Sequence, residues 1–290
     1  MLWKIMQENW VSSLTKSVAI SEYLVPLQQF GGNGVIHSVF DHSFNIKVKD
    51  QLINIAHFHE YVSSFGIDLP DQLFHEISPL IQLDNRVKLS EEALMIYSVI
   101  GIKKIAFTPK VIYPLNVYSL GIKKKQLIVL KEVLDKKNLH TQIGLPLNEQ
   151  AQLLFSKMCQ QNKKWTQEEW QEVVNYFIGR GKGLTPSGDD ILMAYQLLLS
   201  AVADPRGAEL LATLGTTTLS TTDISLAYLK CAAKGYGNSL VYDLLSDIAH
   251  DQYEQLEQQV DRIMKIGHSS GKDLSFGMWL ALQALEIAEK

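Results

Sequence analysis

The amino-acid sequence predicts an α+β fold, in which a small β-rich N-terminal domain precedes a C-terminal helical bundle. Between residues 31 and 107, short apolar runs and alternating apolar and polar residues are typical of strands. From about residue 123, apolar residues recur at spacings of three and four, which is typical of amphipathic helices. We therefore expect a β-rich domain over residues 1–122, built as an open barrel or a sandwich, and a helical domain over residues 123–290.

Six short segments of the first domain have the composition and alternation of strands, and they are residues 35–40, 44–49, 52–56, 86–89, 93–97 and 104–107. Asp50-Gln51 separates the second segment from the third, so these two segments are expected to form a hairpin. Prolines interrupt the pattern at Leu69-Pro70 and Ile112-Tyr113-Pro114. The sequence therefore predicts loops at both places.

The second domain contains eight segments with helical periodicity, and they are residues 125–135, 147–160, 191–202, 207–214, 223–233, 239–249, 252–266 and 274–288. A ninth helix is expected to begin after Thr166, because Glu169 completes a capping box with it. Four glycines fall where helices are expected to end. They are Gly179, Gly215, Gly235 and Gly267.

Composition limits the classes of function that the chain can have. The formal net charge is −4 and there is no long basic stripe, which argues against a nucleic-acid partner. The apolar runs are too short or too interrupted to span a bilayer, and Met1–Ile5 does not open a signal peptide. Cys159 and Cys231 lack the spacing of a zinc site or a disulfide framework. We therefore expect a cytoplasmic protein.

Residues 179–190 form the most informative segment, with the sequence Gly-Arg-Gly-Lys-Gly-Leu-Thr-Pro-Ser-Gly-Asp-Asp. Three alternating glycines permit backbone conformations that other residues avoid, and they allow a ligand to come close. Two hydroxyls and two carboxylates follow, just before an apolar segment long enough to be a helix. Amide groups at such a junction can bind an anion, and the carboxylates can position a metal or move a proton.

A partial copy of this segment lies near the C-terminus, where Ser270-Gly271-Lys272-Asp273 follows Ser187-Gly188-Asp189-Asp190 by 83 residues. Each copy opens a strongly apolar stretch, which predicts two buried helices. One interpretation is a pair of capping boxes, formed by Ser187 with Asp190 and by Ser270 with Asp273. That interpretation leaves Asp189 and the glycine run unexplained, so a functional role for these residues is the alternative.

The two segments supply the candidate site residues. Candidates for proton transfer are Asp189, Asp190, His268 and Asp273. Candidates for binding a substrate are Gly181, Gly183, Thr185, Ser187, Gly188, Ser269, Ser270 and Gly271. A Mg²⁺ ion is a possible cofactor, because carboxylate oxygens are its usual protein ligands.

Two other polar clusters have simpler interpretations. Thr216–Asp223 is dense in hydroxyls and is expected to be a linker that ends in a Thr222 helix cap. The alternative is that one or two of its hydroxyls line the same pocket as the glycine loop. His57 and His59 are two residues apart, but a metal site there would need a third ligand.

The strings G-x-G-L-T-P-S-G-D-D at residues 181–190 and G-H-S-S-G-x-D at residues 267–273 resemble a bacterial family formerly of unknown function. That family includes a subunit associated with oxamate carbamoyltransferase in anaerobic allantoin breakdown. The resemblance spans most of the chain, including a segment like residues 35–40. It implies carbamoyl transfer between oxamate and carbamoyl phosphate, by one part of a multi-subunit enzyme that acts on small anionic metabolites.

Carbamoyl transfer passes through a tetrahedral oxyanion, which prealigned amides and hydroxyls can stabilise. Two other functions stay open at this point. One is a magnesium-dependent small-molecule kinase, in which the glycine loop covers phosphates. The other is a non-catalytic binding or scaffold subunit of the same complex.

Overall fold

The computed structural model describes residues 17–57 and 61–287. Met1–Ile5, His59 and the end of the last predicted helix lie outside these ranges. The chain divides into two compact units, Met1–Leu115 and Asn116–Lys290. The domain boundary that the sequence suggests, between residues 122 and 123, stays a prediction.

In the described part of the first unit, nine strands form one sheet that curls into a half-barrel. The strands are β1 (Val18–Ser21), β2 (Asn33–Val39), β3 (Ser43–Val48), β4 (Gln51–His57), β5 (Gly66–Leu69), β6 (Arg86–Leu89), β7 (Ala93–Ser98), β8 (Gly101–Ala106) and β9 (Lys110–Tyr113). Their order is β8-β7-β6-β2-β3-β4-β5-β1-β9. Neighbours are antiparallel except for the parallel pairs β4 with β5 and β1 with β9. A short helix, α1 (Asp71–Ile77), follows β5.

The sheet confirms the predicted β-rich unit and its open-barrel form, with three corrections. The β3–β4 hairpin pairs Val48 with Gln51, so its turn is Lys49-Asp50 rather than Asp50-Gln51. Pro70 and Pro114 lie outside helices and strands, as predicted, but β5 and β9 run up to these prolines and were not predicted. Proline lacks an amide donor, so it ends these strands without excluding them. Strand β1 carries no signal that we detected in the sequence.

The described part of the second unit is helical, as predicted. Its helices are α2 (Ile128–Asp135), α3 (Glu149–Met158), α4 (Gln167–Phe177), α5 (Ser187–Ala201), α6 (Pro205–Thr216), α7 (Asp223–Ala232), α8 (Ser239–Ala249), α9 (Leu256–Met264) and α10 (Ser270–Ala284). None of the helices in the described ranges is long and apolar enough to cross a membrane.

Local signals in the sequence explain several helix ends. Thr166 and Glu169 form the predicted capping box at the start of α4, with Thr166 Oγ1 accepting from the Glu169 amide at 3.2 Å. Gly179, Gly235 and Gly267 have positive φ and follow helices, as expected. Gly215 instead lies in the last turn of α6, so it does not end its helix.

Helices α5 and α10 pack against each other in the core of this unit. Gly277 of α10 makes the close approach possible. A Cβ atom on Gly277 would lie 2.9 Å from Ala194 Cβ and would overlap the carbonyl oxygen of Ile191 on α5. The core around this pair includes the fully buried side chains of Trp170, Phe177 and Tyr195.

Candidate functional site

The N-termini of α5 and α10 meet at one place in the second unit. The Oγ1 atom of Thr185, two residues before α5, is 2.7 Å from the Oγ atom of Ser270, the first residue of α10. The two segments that the sequence analysis singled out are therefore neighbours in space, although 85 residues separate this pair in the chain.

The two helix starts are built in the same way. Gly188 of α5 packs on the end of α4, where an added Cβ would overlap the carbonyl oxygen of Phe177. Gly271 of α10 packs on the end of α9, where an added Cβ would overlap the carbonyl oxygen of Ile263. The repeated Ser-Gly sequence is thus a repeated helix–loop–helix, in which glycine permits close contact with the preceding helix.

The capping-box interpretation of these starts is wrong. Ser187 and Ser270 are the first helical residues rather than caps, because Pro186 and Ser269 occupy the cap positions. Neither helix start has a side-chain capping hydrogen bond. Asp190 and Asp273 consequently lie at the fourth helical position, one residue beyond the position from which an acid reaches back to the cap amide.

Three buried polar atoms lie at this junction without a hydrogen-bond partner among the described residues: Ser187 Oγ, Asp190 Oδ2 and Asp273 Oδ2. The three residues are only 1%, 3% and 0% exposed. The other oxygen of Asp273 accepts from the Gly144 amide at 2.8 Å. A buried polar atom without a partner costs free energy, so each of the three is suited to a ligand that supplies the missing hydrogen bond.

Burial dominates the electrostatics of the two carboxyls. Burial raises the pKa of Asp190 well above its ordinary value, and the negative charges of Asp273 and Asp189 raise it further. Hydrogen bonds from the hydroxyls of Ser270 and Thr185 act in the opposite direction and lower this pKa. Burial raises the pKa of Asp273 as well. The groups that lower this pKa in part are the Gly144 amide, the hydroxyls of Ser187 and Ser269, and the charge of Lys272. The pKa of each carboxyl is therefore lowered by the hydroxyl of a serine at the start of the opposite helix. Asp190 is the stronger candidate to hold a proton.

Asp189 has a different environment from its neighbour. Its Oδ1 accepts from the Gly179 amide at 2.6 Å, and its Oδ2 accepts from Ser225 Oγ at 2.5 Å and from Thr221 Oγ1. Both oxygens are thus engaged in holding the glycine loop to the start of α7. Thr222 caps α7 as predicted, since its hydroxyl accepts from the Ser225 amide at 3.0 Å.

The glycine loop folds back over the start of α5. Gly181 has a φ of 129°, and a Cβ on it would lie 2.5 Å from the Ser187 amide nitrogen. Gly183 has a φ of 94° and open space around it. Lys182 and Gly183 are exposed, so this part of the loop faces solvent.

The remaining candidates lie at the edge of the junction. Ser269 and Ser270 are half-buried, and His268 is exposed. The backbone oxygen of His268 accepts from Lys272 Nζ at 3.5 Å, and no hydrogen bond within the described chain joins its imidazole to the acids. Within residues 17–57 and 61–287, no three His, Cys, Asp or Glu side chains are arranged to hold a metal ion. A Mg²⁺ ion stays a prediction.

Gly144 is a site residue that sequence reasoning missed. Besides its bond to Asp273, it lies so close to two serines that an added Cβ would be 2.5 Å from Ser187 Oγ and 2.6 Å from Ser269 Oγ. The only sequence signal is a glycine shortly before Pro146, in a segment between helices. It belongs to neither Ser-Gly segment.

Both units match models of a single family of transferase subunits. A family model for the oxamate carbamoyltransferase subunit AllH matches residues 177–282, which include both helix starts. A model for the AllH family N-terminal domain matches residues 16–108, in the half-barrel unit. No solved structure matches the chain. The chain belongs to the AllH family, and it is a subunit of oxamate carbamoyltransferase. The family and function predicted from the resemblance are confirmed, and a role in allantoin catabolism follows.

Proposed function

We propose that this chain itself binds a substrate of the carbamoyltransferase and takes part in the chemistry, at the junction of α5 and α10. One observation carries the proposal: Ser187, Asp190 and Asp273 each bury a polar atom that has no partner among the described residues. Three such atoms lie together at one junction of two helix starts, and a binding site leaves such atoms for its ligand. The family match favours carbamoyl transfer over the kinase that the sequence left open.

Each step of the reaction needs a chemical group that the junction contains. Hydrogen phosphate attacks the terminal carbonyl of oxalurate and the bond from that carbon to the oxamate nitrogen breaks, which gives carbamoyl phosphate and oxamate. The phosphate releases its proton, and this replaces the proton that the leaving nitrogen takes from the site. The leaving nitrogen needs a proton. The buried carboxyl of Asp190, whose pKa burial raises, is suited to donate it. The hydroxyls of Ser187 and Thr185 are suited to stabilise the oxyanion that precedes bond cleavage.

As a subunit, the chain works with other subunits of the complex and with carbamoyl substrates. We place these events in the cytoplasm, and no nucleic acid or membrane takes part in the proposed reaction. Lys182 is exposed beside the junction and Lys272 acts on Asp273, so positive charge is available for a small anionic metabolite.

The test is the formation of carbamoyl phosphate from oxalurate and phosphate by the assembled complex, with Asp190→Asn or Asp273→Asn in this subunit. We expect each variant to lower kcat by roughly 10²- to 10⁴-fold, the usual contribution of a positioned acid or base. Asp68→Asn is the matched control, because Asp68 is equally buried and unpartnered but lies on β5 of the other unit. Wild-type turnover by both site variants in an intact complex would instead identify a non-catalytic scaffold subunit.

A further inference from the structure

We propose that Asp190, Asp273 and Ser187 recognise the H₂N–C(=O) end of the substrate, and that its anionic end points out toward the glycine loop. This inference rests on the proposed function and specifies which end of the substrate the buried group holds. It differs from the expectation that the helix N-termini simply bind an anion.

The donors and acceptors at the junction complement a primary amide. Asp273 Oδ1 is taken by the Gly144 amide, which leaves Oδ2 as an acceptor for one N–H. Asp190 Oδ2 is a second buried oxygen, and Ser187 Oγ makes no well-formed hydrogen bond in the described chain, although its hydroxyl lies close enough to Asp273 to lower the pKa of that carboxyl. A primary amide offers two N–H donors and one carbonyl acceptor. One such group can therefore satisfy all three orphaned atoms.

A carboxylate or phosphate in the same place would have the opposite effect. A fully ionised carboxylate or phosphate ester only accepts hydrogen bonds, so it would leave the Asp273 oxygen unpaired. Such a group would also add negative charge beside Asp273 and the buried Asp190, where the low dielectric makes like charges repel strongly. The pKa of Asp190 is already raised in part by the charge of Asp273, which indicates how closely the two acids are coupled.

The edge of the junction is better suited to the anionic end. Lys182 is exposed on the glycine loop, and the charge of Lys272 reaches Asp273 at the start of α10. The N-terminal ends of α5 and α10 both contribute positive potential here. Oxamate, oxalurate and carbamoyl phosphate each carry H₂N–C(=O) at one end and an anion at the other. One orientation therefore serves oxalurate and carbamoyl phosphate, and oxamate can take the same place when neither of them is bound.

The experiment compares oxamate with oxalate, in which oxygen replaces the amide nitrogen at nearly the same size. Binding of each to the assembled complex is measured by calorimetry. We expect oxamate to bind roughly ten- to a hundredfold more tightly, the usual effect of one charge-assisted hydrogen bond. Asp273→Asn should reduce this preference to within about threefold, because an amide side chain can donate to oxalate. Asp68→Asn should leave the preference intact.

Ser187→Ala is a second variant, which removes one hydroxyl without adding volume. It should weaken oxamate binding by roughly tenfold, because the carbonyl oxygen of the amide loses its donor. Oxalate binding as tightly as oxamate to the wild-type complex would overturn the inference. If turnover still falls in Asp190→Asn and Asp273→Asn, the proposed function survives that result. If neither ligand binds and both variants keep wild-type turnover, the proposed function fails and this inference falls with it.

Discussion

Gly144→Ala tests the site with a single added methyl group. The carbon would lie 2.5 Å from Ser187 Oγ, 2.6 Å from Ser269 Oγ and 2.9 Å from Ser269 Cβ, where ordinary contacts begin at 3.4 Å. Each hydroxyl must therefore move by nearly 1 Å. The backbone of Gly144 is not in the left-handed region, so alanine fits its conformation and the perturbation is purely steric.

The expected cost follows from this overlap. Forcing a methyl group into a packed core costs about 1–3 kcal/mol. For a unit of this size that lowers Tm by roughly 2–4 °C per kcal/mol. The effect on turnover should be larger, because a displacement of about 1 Å at a reacting group costs roughly 10²-fold. Thermal unfolding and carbamoyl phosphate formation by the assembled complex measure the two effects.

Gly215→Ala is the matched control for this experiment. Gly215 lies in the last turn of α6 with nothing within 4 Å of an added Cβ, and alanine is favoured over glycine in a helix by up to about 1 kcal/mol. We expect equal or higher Tm and unchanged turnover. If Gly144→Ala behaved like Gly215→Ala in both assays, Ser187 and Ser269 would not be held where the argument needs them.

Three further predictions concern stability. Gly188→Ala and Gly271→Ala should each lower the free energy of unfolding by more than about 3 kcal/mol, because the added methyl group overlaps a backbone oxygen. Urea unfolding measures this loss, and a value below about 1 kcal/mol would contradict the packing described. Asp189→Ala should lower the free energy of unfolding by about 3–5 kcal/mol, since it leaves three donors without an acceptor. An unchanged free energy of unfolding would refute the role of Asp189 in anchoring the loop. Asp68→Val should gain about 1–3 kcal/mol at pH 8, because burial raises the pKa of Asp68 well above 3.8. Above about pH 3.8 the folded state keeps a proton that the unfolded state has lost, so the stability of the wild type falls as the pH rises. The Tm of Asp68→Val should therefore exceed that of the wild type by a margin that grows from pH 4 to pH 8.

Periodicity predicted the helical unit well but misplaced the two helix starts that matter most. The apolar pattern begins at Ile191 and Leu274, whereas α5 and α10 begin four residues earlier in each case, at Ser187 and Ser270. In α5 all four of these polar or small residues are buried. Polarity usually indicates exposure, and here it does not, because the two helix starts cover each other.

The sequence could not decide between the two adjacent acids. Neighbouring residues on a helix point about 100° apart, so Asp189 and Asp190 cannot both face α10. Which of them does so depends on the glycine loop and α7, whose hydroxyls take Asp189. Gly144 was missed for a related reason. It contacts Ser187 and Ser269 only through the tertiary fold, and no local pattern marks such a residue.

The repeat explains why the site has the groups it has. Ser187 with Ser270, and Asp190 with Asp273, are equivalent positions of the two helix starts, and each acid is coupled to the serine of the other copy. Ala194 and Gly277 are also equivalent, and they touch each other, so the two helices pack through matching positions.

This packing brings two like acids near enough to interact, which disfavours their ionisation and costs stability. A structural role alone would be better served by neutral side chains, because their burial carries no charge penalty. The third helical residue breaks the symmetry: Asp189 in one copy holds the loop with every oxygen bonded, whereas Lys272 in the other brings a positive charge to Asp273. The unsatisfied acid oxygens therefore fall on the equivalent positions Asp190 and Asp273. The third helical residue, which differs between the copies, fixes the loop on one side and supplies positive charge on the other.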